Sequence, residues 1–105
     1  MPASSRRVRL APDAQRDYDD VLLESFLTWG EVPMRTYRAP LDRALASLAD
    51  FPNAGVRRDS IVVGCRVRVV EHHLLFYQIG TNEIEVVRIL HERADARRHF
   101  RQRRP

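Results

Sequence analysis

The stretch Cys65–Leu90, CRVRVVEHHLLFYQIGTNEIEVVRIL, decides the fold. Within it Cys65–Glu71, His73–Ile79 and Glu83–Leu90 are rich in β-branched and aromatic residues at a period of two, so each predicts a strand. Gly80, Thr81 and Asn82 make a tight turn between the last two, and the step from Glu71 through His72 is equally short. Three strands joined this closely form an antiparallel meander.

Upstream of that stretch the apolar period is 3.6. Pro12 stands where the first residue of a helix would be, and Asp13 in its first turn suits the positive end of the helix dipole. Ala14, Tyr18, Val21, Leu22, Ser25, Phe26 and Trp29 recur on one face, and Gly30 supplies the stop. Trp29 is expected to anchor the core between helices. Pro33 opens a second helical pattern, in which Tyr37, Leu41, Ala44, Leu45 and Leu48 share a face, ending near Asp50 and the Pro52–Gly55 turn. Pro40 predicts a kink there, or a helix that effectively begins there. So short a connection makes the two helices an antiparallel hairpin. Arg7–Leu10 alternates polar and apolar residues and predicts a strand, and a short last helix is expected from about Asp95 to Phe100. The fold class is therefore α+β: an N-terminal strand, a two-helix antiparallel hairpin packed on an antiparallel β-sheet, and a short C-terminal helix.

The 105 residues give room for one domain, residues 1–105, with an arginine-rich tail at about 101–105. Hydrophobic residues make up 44% and charged ones 30%, a soluble globular balance. No apolar run approaches the roughly 20 residues that a membrane-spanning helix needs. The opening MPASSRRVRL lacks the apolar segment of a secretory signal. Cys65 is the only cysteine, which excludes an internal disulfide and a multi-thiolate metal site. A cytoplasmic protein with no cofactor, no metal and no membrane partner is the expectation. The net charge is +4 and all 18 basic residues are arginine, so no lysine is present to act as a base or Schiff-base former. From Arg88 onward stand Arg88, Arg93, Arg97, Arg98, Arg101, Arg103 and Arg104 against only Glu92 and Asp95. Such an end favours an acidic partner, either nucleic acid or an acidic protein segment.

The order and spacing of these elements resemble the ParE branch of the RelE/ParE toxin superfamily. The resemblance is carried by the Trp29-Gly30 end of the first helix, Tyr37 with the leucines of the second, the Pro52–Gly55 turn and the Phe76-Tyr77 pair. Its most specific part is Arg88-Ile89-Leu90-His91 followed by Asp95. Pro40 and the Ala11 before the first helix depart from the usual pattern. The resemblance implies the toxin of a type II toxin–antitoxin system, neutralised by a cognate ParD-like antitoxin whose acidic C-terminal segment wraps it. It also implies growth inhibition and plasmid stabilisation. ParE-type members poison DNA gyrase; RelE-type members share the fold and cut messenger RNA on the ribosome.

Metal-free RNA cleavage needs a base, an acid and cations near the scissile phosphate. Arg66, Arg68, Arg88 and His91 are the candidates, with Tyr77 beside them; strand alternation puts Arg66 and Arg68 on one face. Each also has a structural explanation. Arg88 interrupts an apolar strand and would fit an ion pair with an acid such as Asp95. Tyr77 would pack with its hydroxyl satisfied at the core edge, His91 would be hydrogen-bonded at a strand end, and Cys65 would be a small buried residue. His72 and His73 should point to opposite faces and share no metal. The favoured reading is a non-catalytic gyrase inhibitor, with Arg66, Arg68, Arg93, Arg97, Arg98 and Arg101 as the antitoxin- or target-binding residues. The alternative is a ribosome-dependent messenger-RNA endonuclease, and a third reading is an inert relative that only binds antitoxin.

Overall fold

Strand β1 (Arg7–Leu10) leads through Ala11 into helix α1 (Pro12–Trp29), and Gly30 alone separates α1 from helix α2 (Glu31–Asp50). These come from a computed structural model, which describes residues 6–101, without the side chains of residues 31–37 and 101. The placing of Tyr37, the side chain of Arg101 and the tail beyond it lie outside the described residues. A 3-10 turn (Pro52–Ala54) follows, then β2 (Val56–Arg57), β3 (Cys65–Val70), β4 (His73–Ile79), β5 (Glu83–His91) and α3 (Ala96–Arg101).

Gly30 has φ +96°, a region that a side chain disfavours, and its N–H donates to Phe26 O, so it ends α1 and turns the chain at once. α2 begins at Glu31, two residues before the expected Pro33. Pro33 thus falls in the first turn, where backbone N–H groups have no intrahelical partner anyway. The helix also does not restart at Pro40; it runs through it to Asp50. One lost hydrogen bond is tolerated because Leu41, Ala44 and Leu48 are buried at 0, 6 and 0% exposure directly after it. Ala11 caps α1 without a side-chain bond; instead its N–H is fixed to Val86 O at 2.9 Å.

The sheet order is β1-β5-β4-β3-β2. The β3–β4–β5 meander is antiparallel as expected, but the whole sheet is mixed, because β1 pairs parallel with β5, Arg7 opposite Glu83 through Leu10 opposite Val86. Parallel neighbours need a long crossover, and the helical hairpin together with β2, β3 and β4 lies between the two strands in the chain. β2, too short to leave a sequence signal, pairs only Val56 with Val67 and Arg57 with Arg66.

Both faces of the sheet are covered, which explains the unbroken apolar runs at Leu74–Tyr77 and Ile89–Leu90. On one face Val70, Leu75, Tyr77, Ile84, Val86 and Ile89 pack against Ala14, Leu41, Ala44 and Leu48 of the hairpin. On the other, Cys65, Val67, Phe76, Val87 and Leu90 pack under Phe100 of α3. Trp29 takes no part in either. It is 71% exposed, against the expectation of a core anchor, because the strand ends opposite it carry imidazoles rather than apolar side chains.

Candidate functional site

Arg66 and Arg68 alternate with Cys65 and Val67 along β3, so both lie on the hairpin face, as alternation requires. Arg66 donates from Nη1 to the carbonyls of Gly55 (2.7 Å) and Asn53 (3.4 Å). Arg68 donates from Nη1 to Ser47 Oγ on α2 at 2.6 Å. Between α2 and the end of β3 lies a groove of about 650 Å3, lined by Pro40, Arg43, Ser47, Asp50, Arg68 and Glu71 among others. On the side of β3 away from β4 no described strand continues past β2, which pairs only with Arg66 and Val67, so the outer backbone edge of Arg68–Val70 is open along this groove. Arg93, Arg97 and Arg98 are exposed around α3 on the opposite face. The described arginines among those expected to bind antitoxin or target therefore divide between two faces.

Arg88 is held elsewhere. Its Nε and Nη2 donate to the two carboxylate oxygens of Asp17 at 2.7 and 3.0 Å, and Asp17 also accepts the Ile89 N–H at 2.9 Å. Arg88 and Asp17 are 15% and 14% exposed, and the carboxylate raises the guanidinium pKa further. The anticipated partner, Asp95, instead accepts the Arg98 N–H at 3.2 Å at the start of α3. Arg88 follows a register shift: Tyr77 pairs with Val86 and Phe76 with Arg88, leaving Val87 extra, and such a bulge re-aims the side chain after it.

Tyr77 is fully buried; its hydroxyl donates to Pro52 O at 2.7 Å and accepts the Gly55 N–H at 2.8 Å. Cys65 is also fully buried, and burial pushes its thiol up to about 11, far from a thiolate nucleophile. His72 and His73 do not diverge as expected. Glu71, at φ 55°, makes a two-residue turn that swings His72 back, and both rings reach His91, at centroid distances of 6.5 and 5.3 Å. His72 Nδ1 meets Glu92 Oε2 at 2.9 Å, and His91 Nδ1 accepts the Arg93 N–H at 3.1 Å. The three imidazoles and Val21, Glu24, Ser25, Thr28 and Trp29 of α1 line a cavity of about 310 Å3. Among the described residues no group of three or more His, Cys, Asp or Glu side chains, these histidines included, is placed so that it could hold a metal ion.

The four nuclease candidates thus engage four different partners: Arg66 the 3-10 turn, Arg68 Ser47, Arg88 Asp17, and His91 the neighbouring histidines. Sequence reasoning missed Asp17 and Arg43. Asp17 could have been found as a carboxylate one turn from Ala14 and Val21 on an otherwise apolar face; Arg43 gives no signal of its own.

A strand, a helical hairpin and a meander with a groove beside the second helix define a fold known among toxins of toxin–antitoxin systems. A chain of the solved chromosomal ParDE system from P. aeruginosa shares it, with a TM-score of 0.73 over 85% of this chain and 98% of that one, at 19% identity. Toxin ParE1 of Caulobacter vibrioides is 30% identical over 92 residues, covering 88% of this chain and 95% of the relative. Toxin ParE1 of Mycobacterium tuberculosis is 33% identical over 97 residues, covering 91% and 99%. The family described as ParE toxin of type II toxin–antitoxin system, parDE, matches residues 8–96. The chain belongs to that family.

Proposed function

We propose that this ParE-family toxin inhibits DNA gyrase by binding it, with no catalytic residue of its own, and is neutralised by a ParD-like antitoxin. The observation that carries the reading is the family match along residues 8–96. The bidentate commitment of Arg88 to Asp17 supports the non-catalytic part, since that guanidinium is not free to stabilise a phosphorane. The groove beside Arg43 and Arg68, with its open strand edge, suits an extended acidic antitoxin segment: backbone pairing would supply affinity and the guanidiniums the charge preference. Arg66 borders this surface. Arg97, Arg98 and Arg101 belong to α3, Arg93 stands in the turn before it, and together they would meet a second part of the partner. Among the described residues no helix is long and apolar enough to cross a membrane, and the proposed site of action is the cytoplasm.

A supercoiling assay with purified gyrase, run beside cleavage of ribosome-bound messenger RNA, tests the reading. Inhibited supercoiling or trapped cleaved DNA, with intact message, is the expected result. Cut message with unaffected gyrase would overturn it.

A further inference from the structure

The last two turns of α1 carry an apolar ridge that the fold leaves uncovered. Leu23, Phe26, Leu27 and Trp29 are 54, 44, 71 and 71% exposed. Leu23 and Leu27 stand one turn apart, with Phe26 beside them, which is the spacing by which one helix receives another. An exposed apolar patch rimmed by polar residues marks an interaction surface.

The rim has one sign. Asp19 and Asp20 lie one turn before Leu23, Glu24 follows it, and past Arg16, which is paired with Asp13, α1 has no arginine. None of the ion pairs among the described side chains involves Asp19, Asp20 or Glu24. In a chain of net charge +4 this is a local reversal. An acidic segment, such as the one proposed for the groove beside Arg43 and Arg68, is repelled here; a basic one is attracted. Beside the ridge opens the 310 Å3 cavity with Glu24 and Trp29 in its wall. A cation entering it meets an indole and a carboxylate together.

We propose that this face of α1 docks a basic amphipathic helix of the protein on which the toxin acts, separately from the groove assigned to the antitoxin. The proposal rests on the toxin acting by binding a protein. The partner's apolar stripe lies on Leu23, Phe26 and Leu27, its arginines or lysines follow Asp19, Asp20 and Glu24, and one of them enters the cavity over Trp29.

Trp29 is the only tryptophan, so its emission reports binding directly. The full chain is titrated with a synthetic tryptophan-free helical peptide bearing leucine on one face and arginine on the other. A second titration uses a twin with glutamate for arginine. A saturable blue shift with the first peptide and none with the second is expected. Leu23→Ser with Leu27→Ser should weaken binding at least about tenfold, and Asp20→Asn with Glu24→Gln should weaken it several-fold. All four side chains are exposed, and far-UV circular dichroism checks that the variants stay folded. No binding, equal binding of both peptides, or unchanged affinity in folded variants would overturn the proposal.

Expression without antitoxin separates this idea from the reading beneath it. If the unaltered chain arrests growth and the folded Leu23→Ser, Leu27→Ser variant does not, both stand. Equal arrest by the two sinks the docking surface and leaves the toxin. No arrest by the unaltered chain sinks the toxin reading, while the peptide titration still judges the surface.

Discussion

At Gly55 the constraint is space rather than backbone angle. A Cβ there would lie 2.5 Å from Tyr77 Oη, 2.8 Å from Tyr77 Cε1 and 2.9 Å from Val67 O. Gly55→Ala should therefore destabilise the protein by about 1–3 kcal/mol, the usual cost of overpacking. On a Tyr77→Phe background the same substitution should cost less, because the closest atom has gone; strict additivity of the two melting-temperature losses would refute the contact. His73 makes a different demand. Burial first, then the charge it would share with His91 and to a lesser extent His72, lowers its pKa below 6.5, while Glu24 and Glu92 pull the other way. The unfolded chain then binds the proton more readily, so stability is lost as pH falls from 6.5 towards the folded pKa. Between about pH 8 and pH 5, His73→Gln should flatten the fall in melting temperature; an unchanged slope would place the acid sensitivity elsewhere. Sequence alone pointed to the buried roles of Tyr77 and Cys65, because an aromatic or a small thiol within a β-branched run has few other places to go. It did not reveal the meeting of His72 and His73 at His91. That depends on the positive φ of Glu71, a residue whose type does not announce it.

Among the elements, the link between α1 and β5 depends on Asp17 and Arg88, 71 residues apart. Removing one member leaves the other charge largely buried. Arg88→Ala should cost about 3 kcal/mol, the low end for such pairs because both groups keep some exposure. Asp17→Asn should also destabilise, though less, since an amide oxygen still accepts the Ile89 N–H. In a double-mutant cycle read by urea unfolding, a coupling near zero would show that the pair is incidental. The helices and the meander were legible because each declares its own period. The partner of Arg88 was not, because Asp95 lies close in sequence while Asp17 is brought near only by the hairpin crossing the sheet. The exposure of Trp29 was hidden for a related reason: helical spacing names a face, but not how far along the helix that face stays covered.

Over the whole molecule the charges segregate. Acids collect along α1, arginines surround α3, and the α2–β3 groove holds Arg43 and Arg68 together with Asp50 and Glu71, so the net charge of +4 describes no single surface. Composition led to the expectation of an acidic partner but could not divide the arginines between two faces, since that division depends on which strands pair. Nor could any local pattern show that β1 lies parallel to β5, as the pairing joins residues 76 positions apart, such as Arg9 and Glu85. That pairing also governs timing. The sheet cannot close until its final strand is available, so β1 and the hairpin wait beside an unfinished edge while the chain is made. Contacts of such long sequence separation slow folding, because the intervening loop must be ordered before they form. A ribosome carrying this chain therefore holds no closed sheet until residue 91 has emerged, and a partner that binds only the closed sheet cannot meet it before then.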